Sequence, residues 1–250
     1  MKAILLCAGY ATRLKPLTDD CPKHLLEVKG RPIISHVLEK IAHLPLDGIY
    51  VVTNNKFHAH FEDWARKTTG CSIPIKVLND GTLSNEDRLG SIGDMAFVLE
   101  SENLDDDLFM VNADNIFTFD LKPLYSRFQE MKNVIACYDV KDLNEARKMG
   151  APAVNEHGKV VGFVEKPANP TSTEVSIGLY LFEKGITEKV MSYIDELKKK
   201  GMRPDTTGDF VGWLSKKIPI FTYTFGDAGD HWIDIGTPEQ YENAKNSDLF

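Results

Sequence analysis

The first half of the chain alternates short unbroken apolar runs with longer stretches whose apolar residues recur every three to four positions. Ala3-Ile4-Leu5-Leu6-Cys7 runs straight into Gly9 with no polar alternation. That is the pattern of a strand buried on both faces, as in a parallel sheet. Arg31-Pro32 then predicts a helix start, with Pro at a tolerated first-turn position. Ile33, Ile34, Val37, Leu38 and Ile41 follow at helical spacing. Gly48 to Thr53 is a second buried strand, and a helix with Phe57, Phe61, Trp64 and Ala65 on one face comes next. Ile73 to Leu78 and Leu108 to Ala113 are a third and a fourth strand. Between these two lies a polar loop, Asn79 to Gly93, that leads into another helix. Strand and helix at this spacing predict an α/β fold, a Rossmann-like, mostly parallel sheet flanked by helices and joined by right-handed crossovers.

After Val134 to Val140 the rhythm changes. Ala151 to Val154, Lys159 to Val164 and Val175 to Phe182 are strands with few helices between them. They predict a small mixed β region over the open end of the sheet. A helix near Ile186 to Lys199, strands at Ile218 to Phe225 and Trp232 to Ile235, and a helix from Thr237-Pro238-Glu239 complete the chain. The expectation is one domain over residues 1–250, in two halves, residues 1–140 and residues 141–250. Ligands of such sheets bind beyond the carboxyl ends of the strands, so the loops after Cys7, Leu78 and Ala113 are where chemistry is expected.

Composition narrows the class. The formal net charge is -8, which disfavours a nucleic-acid partner, since that binding relies on many cationic contacts to phosphate. A few cations focused in one cleft can still hold a phosphorylated small molecule. Cys7, Cys21, Cys71 and Cys137 show no metal-binding spacing and suit reduced thiols in the cytoplasm. The run Ala3 to Ala8 is too short to span a membrane and lacks the layout of a signal peptide.

The first loop carries the strongest chemical signal. It reads Ala8-Gly9-Tyr10-Ala11-Thr12-Arg13-Leu14-Lys15-Pro16-Leu17-Thr18, followed by Pro22-Lys23-His24-Leu25-Leu26. A glycine directly after a buried strand lets backbone amides approach phosphate oxygens. Arg13 adds a forked, permanently charged contact and Lys23 a second cation. A P-loop is excluded because Gly-Lys-Ser/Thr is missing. The dinucleotide fingerprint is excluded too, because Ala11 and Leu14 stand where it needs glycines.

These residues resemble the sugar-phosphate nucleotidyltransferase family, which includes the glucose-1-phosphate thymidylyltransferases. The family motif is G-x-G-T-R-L-x-P-L-T followed by P-K-x-L-L, and this chain departs from it at Ala11. The resemblance implies Ala8 and Gly9 on the nucleotide, with Arg13 and Lys23 catalytic. Leu108 to Asn115 matches the G-D-N segment, with Ala113 for its glycine, and His231 to Glu239 matches D-I-G-T-P-E. Alone, an Asp at a strand end is more often a cap or turn residue. In the family, Asp114 and Asp234 would bind the catalytic Mg²⁺, and Asn115 would lie on the nucleotide side.

Glu165-Lys166-Pro167 matches the E-K-P segment, in which Glu165 binds the sugar and Lys166 its phosphate. Gly150 and Gly178 would line the acceptor pocket, although a glycine inside a strand also marks a bulge or close packing. The loop Asn79 to Gly90 departs from the thymidylyltransferase pattern, and its Asn85 resembles the asparagine of cytidylyltransferases acting on phosphocholine-type substrates. Asn79 and Asn85 are the candidates for base or ribose contacts. The implied reaction joins a nucleoside triphosphate to a sugar 1-phosphate and releases pyrophosphate. The alternatives are a cytidylyltransferase for a non-sugar phosphate or phosphonate, and a non-catalytic nucleotide-binding regulator. Many members of the family are oligomers, so a homo-oligomer is an allowed assembly; neither a nucleic acid nor a membrane is an expected partner.

Overall fold

In the computed structural model, which describes residues 1–249, the chain opens with strand β1 (Lys2–Leu6). The loop after it carries two short 3-10 turns, Thr12–Leu14 and Lys23–Leu25, and leads to a minimal hairpin, β2 (Glu27–Val28) with β3 (Arg31–Pro32). Helix α1 (Ile33–Ile41), strand β4 (Gly48–Thr53), helix α2 (His58–Lys67), strand β5 (Ile75–Asn79), helix α3 (Ser91–Ser101) and strand β6 (Leu108–Asn112) complete the alternating half. Next come β7 (Asn115–Phe117), α4 (Lys122–Met131), β8 (Val134–Asp139) and α5 (Leu143–Ala146). The remainder is β9 (Gly150–Val154), β10 (Val160–Glu165), β11 (Glu174–Phe182), α6 (Ile186–Lys199), α7 (Thr207–Leu214), β12 (Phe221–Phe225), β13 (Trp232–Asp234) and α8 (Pro238–Asn246).

Seven strands form the central sheet in the order β12-β8-β11-β6-β1-β4-β5. β1 has parallel partners on both sides, and its last residue, Leu6, pairs with Val52 of β4 and with Asn112 of β6. The chain leaves β1 towards β4 and β5 and returns to β6 on the other side. That reversal opens a crevice at the carboxyl ends of β1 and β6. Side chains of β1 divide between the two faces. Ala3, Leu5 and Cys7 join one apolar layer with residues of α1, α2 and α4. Ile4 and Leu6 join the other with residues of α3, α6 and α7. A third, smaller cluster joins Leu14 and Leu26 of the first loop to Ile116, Ile235 and Tyr241, so the C-terminal segment is anchored beneath the loop that follows β1.

Two expectations need correction. β11 belongs to the central sheet, antiparallel to both β6 and β8, and not to the β region over its end. Its run from Ile177 to Phe182 is buried throughout, which is the burial of an interior strand. The covering ribbon is β9 with β10 alone. Pro32 is not in the first turn of α1 but immediately before it, in extended conformation. Lys29 and Gly30, both with positive φ, make the tight turn of a hairpin, and Pro32 ends its second strand. Among the described residues, no helix is long and apolar enough to cross a membrane.

Two positions in the loops and strands around the crevice are left-handed for different reasons. Ala11 has φ 47° and ψ 43°, a conformation that works against any side chain with a Cβ. Gly178 has φ 75° at an irregularity of β11, and a Cβ there would come within 2.7 Å of the Asn112 side chain. Ala11→Gly should raise stability by about 0.5–1 kcal/mol, the relief of the left-handed alanine less the extra chain entropy of glycine. Gly178→Ala should lower it by about 3 kcal/mol, from backbone strain plus overpacking. Urea midpoints at unchanged slope measure both. A drop for Ala11→Gly would mean that the methyl contacts outweigh the strain.

Candidate active site

The loop after β1 is shaped by an asparagine from β4's neighbouring turn. Asn54 is fully buried; its amide donates to the Ala8 carbonyl at 2.8 Å, and its carbonyl oxygen accepts from the Phe57 amide at 3.1 Å. Ala11 then turns the chain back, its carbonyl accepting from the Leu14 amide and from the Thr18 hydroxyl. A Cβ at Gly9 would meet nothing within 4 Å, so Gly9 faces open space. Ala8, Gly9 and Ala11 line a cavity of about 250 Å³ whose other walls include Lys23, Gly90, Asp94 and Asp114.

Asp114 lies in the two-residue connection between β6 and β7. β7 pairs antiparallel with β13, Asp234 stands opposite Asn115, and the Ile235 amide donates to the Asp114 carbonyl at 3.0 Å. A ladder of three residue pairs thus brings the two acids together although 120 positions separate them. Lys23 Nζ donates to Asp114 Oδ2 at 2.5 Å. Burial works against ionisation of Asp114, yet the Lys23 ammonium and its hydrogen bond hold the carboxyl below the usual range. Asp234 has no such partner. Burial and the neighbouring Asp114 push it up to about 6, against the pull of Lys23 and Arg13. The pair is short of positive charge on the Asp234 side, which is what a divalent cation would supply.

Asn115 is tied into the chain by hydrogen bonds at both ends of its amide. Its amide donates to the Asn112 carbonyl and to Asp114 Oδ1, and its carbonyl oxygen accepts from the Trp232 indole. It lines the cavity it shares with Gly150 and Glu165, not the one over Gly9. His24, next to Lys23, is buried and kept neutral, its pKa lowered to about 3 by burial and then by the Lys23 charge.

A second cavity, of about 300 Å³, opens on the far side of Asp114 and Asp234 and is lined by Gly150, Glu165, Gly178, Tyr180 and Trp232, among others. Gly150 faces Glu165 across the β9–β10 ladder, and a Cβ on it would come within 2.7 Å of the Phe163 ring. Glu165 lies against the Gly208 backbone of α7, where a Cβ would collide with its carboxyl; burial, then the charge of Asp209, raise its pKa. Lys166 follows β10 with φ 48°, exposed, with no carboxylate within 4 Å among the described residues. It follows Glu165, one of the residues that line this cavity, and is not itself among them.

Asn79 and Asn85 line neither cavity. The Asn79 amide donates to Asn55 Oδ1 and its carbonyl oxygen accepts from the Gly81 amide, both at 2.9 Å. Asn85 sits in a turn where Arg88 caps its carbonyl. The side chains that do reach the cavity wall from this loop and helix are Arg88, Ser91 and Asp94, with Asp205 from the far half. Sequence reasoning passed over all four. Asp94 and Asp205 offer no motif, and an acid in a helix's first turn is commonly read as complementing the macrodipole.

The nucleotidyl transferase family model matches residues 2–249. The UTP–glucose-1-phosphate uridylyltransferase AglF of Haloferax volcanii is 30% identical over 254 residues, spanning 98% of this chain and 95% of that protein. The mannose-1-phosphate guanylyltransferase of Mycobacterium tuberculosis is 28% identical over 96% of this chain and 62% of its own length. The bifunctional protein GlmU of Methanocaldococcus jannaschii is 28% identical over 95% of this chain, which spans about half, 52%, of that relative. Among solved structures, a UDP-glucose pyrophosphorylase complexed with UDP-glucose superimposes with a TM-score of 0.80 over 98% of this chain and 97% of that one, at 22% identity, a likeness of fold. With nearly its whole length matched by one family model, and a curated relative 30% identical along almost all of both chains, the chain belongs to the nucleotidyl transferase family.

Proposed function

We infer that the chain transfers a nucleoside monophosphate from a nucleoside triphosphate to a sugar 1-phosphate, giving a nucleoside diphosphate sugar and pyrophosphate. The observation that carries this reading is the position of Asp114 and Asp234, side by side between a cavity floored by the glycine loop and a second cavity lined by β9–β11. The relatives that act on glucose 1-phosphate or mannose 1-phosphate support it.

The acceptor phosphate oxygen is ionised at neutral pH and needs no general base. It attacks the α-phosphorus in line, one P–O bond forms as the bond to pyrophosphate breaks, and the leaving group departs as an anion. The residues then act by positioning and by neutralising charge. Lys23 has three N–H donors, one engaged by Asp114, leaving two for triphosphate oxygens. Arg13 stands near Gly236 and Asp234, where its fork can meet the departing pyrophosphate. Lys166, with no carboxylate within 4 Å among the described residues, can hold the acceptor phosphate. Asn115 keeps Asp114 aimed. Asp114 and Asp234 would hold Mg²⁺, which would supply positive charge and Lewis acidity to the reacting phosphates. Among the described residues no three His, Cys, Asp or Glu side chains gather into a metal cage. A two-carboxylate donor set fits a hard cation that takes its other ligands from water and phosphate. The four cysteines are free, and we place the enzyme in a reducing, cytoplasmic setting.

Three measurements check this. In a matrix of nucleoside triphosphates against phosphorylated acceptors, sugar 1-phosphates should release pyrophosphate and phosphocholine or phosphonates should not; the reverse result would move the chain to the cytidylyltransferases of non-sugar phosphates. Asp114→Asn should keep its circular dichroism spectrum and lower kcat by about 10³-fold, the scale of losing a charge-stabilising group; normal turnover would remove Asp114 from the metal. Lys166→Ala should raise the KM for the acceptor about tenfold or more, as for a lost charge-assisted contact, and leave nucleotide affinity unchanged in a titration.

A further inference from the structure

The cavity above the glycine loop has one wall that the proposed transfer does not use. Phosphates belong over Ala8 and Gly9, beside Lys23, and the acceptor belongs beyond Asp114 and Asp234. The nucleotide's base is therefore left with the opposite wall, made by Arg88, Gly90, Ser91 and Asp94, with Asp205 at its edge. Most polar groups on this wall already have partners. Arg88 donates to the Asn85 carbonyl and pairs with Asp205 at 3.1 Å. The Ser91 hydroxyl donates to the Asp205 carbonyl and meets the Thr207 hydroxyl.

Asp94 is different. It is 94% buried, being 6% exposed, and its Oδ1 finds no donor among the described residues. Facing it is Asp80, whose Oδ1 accepts from both the amide and the hydroxyl of Thr82 at 2.8 Å, and whose Oδ2 is likewise buried without a donor. The two carboxyls lie within hydrogen-bonding reach of each other. Two carboxylate oxygens in such contact repel unless one proton lies between them. Burial, then the Asp80 charge, push Asp94 up to about 8, consistent with a proton held at neutral pH.

With one carboxyl oxygen of Asp94 engaged by Asp80, the other is left as an acceptor, and Asp94 is one of the residues that wall the cavity. Resting on the nucleotidyltransferase reading above, we propose that Asp94 reads the base, its free oxygen accepting an N–H from an amino-bearing base such as cytosine or guanine and excluding uracil and thymine. Uracil and thymine turn a carbonyl oxygen to the place where cytosine has its amino group, so acceptor would meet acceptor. Asp80 acts as a positioning residue. It is itself fixed by Thr82, whose hydroxyl also meets the Tyr10 hydroxyl of the first loop.

The test is binding, not turnover, so it stands apart from the transfer reaction. Displacement of a fluorescent nucleotide by CTP, GTP, UTP, dTTP and zebularine triphosphate, which lacks the 4-amino group, should be measured with Mg²⁺ present. A site that hydrogen-bonds one group rejects analogues lacking it strongly, so CTP or GTP should bind at least about 100-fold tighter than UTP and dTTP. If CTP is the tighter of the two, zebularine triphosphate should fall with UTP. Asp94→Ala should collapse the preference to within a few-fold. Asp80→Asn should keep it, because the new amide donates to Asp94 and still accepts from Thr82. UTP or dTTP binding within tenfold of both CTP and GTP to the unaltered protein would overturn the proposal, whether or not any variant folds. So would an undiminished preference in Asp94→Ala. A chain that binds CTP or GTP selectively but never releases pyrophosphate would instead sink the transfer reaction and leave the base assignment standing.

Discussion

The site depends on a ladder of three residue pairs. β7 and β13 are each three residues long, and their pairing alone carries Asp234 from the end of the chain to Asp114 in the middle. Short two-stranded ribbons are marginal by themselves. This one is held by what packs around it: the small cluster of Leu14, Leu26, Ile116, Ile235 and Tyr241, and the Tyr241 hydroxyl donating to the Glu27 carbonyl at 2.9 Å. The same cluster packs under the loop after β1. The apolar residues of that loop therefore do two jobs: they support the loop itself and dock the segment that delivers the second acid.

Much of this was legible in the sequence where local pattern and tertiary role coincide. The run from Ala3 to Cys7 is apolar because β1 is covered on both faces, and Ile186 to Lys199 shows helical spacing because α6 packs one side on the sheet; both were read with little error. Pattern failed where context overrode it. α7 carries Gly208 and Gly212 inside a helix, against propensity. Gly208 is required there because a Cβ would run into Glu165 and Phe163, a constraint no local reading contains. β11 looked like one more short strand, but its breadth of burial shows that it lies inside the sheet. β7 is separated from β6 by only two residues, so the pair read as one strand ending in an acid.

The candidate site divides the same way. The glycine loop, Lys23, Asp114 and Asp234 were reachable through a resemblance that spans the chain, and the structure brings them into one crevice. Asn79 and Asn85 were chosen for their chemistry in a polar loop; in the structure the Asn79 side chain bonds within that loop and to Asn55, and neither residue lines the cavities. The groups that face the cavity instead, Asp94 and Asp205, lie in a helix's first turn and in the segment before α7. Neither position stands out without knowing that Gly90 packs on Asp205, where a Cβ would come within 2.8 Å of the backbone. That contact ties the nucleotide loop to α7, and through the Gly208 backbone to Glu165. The two cavities are walled by one connected piece of backbone.

The delivery of Asp234 by β13 also sets an order of events during synthesis. A ribosome releases the glycine loop, Lys23 and Asp114 long before it reaches the residues that pair with β7. Until then Lys23 has only one of the two acids to pair with, and the cluster under the glycine loop lacks Ile235 and Tyr241. The acid pair and the footing of the glycine loop are therefore completed together, by the same late segment that carries β13 and α8.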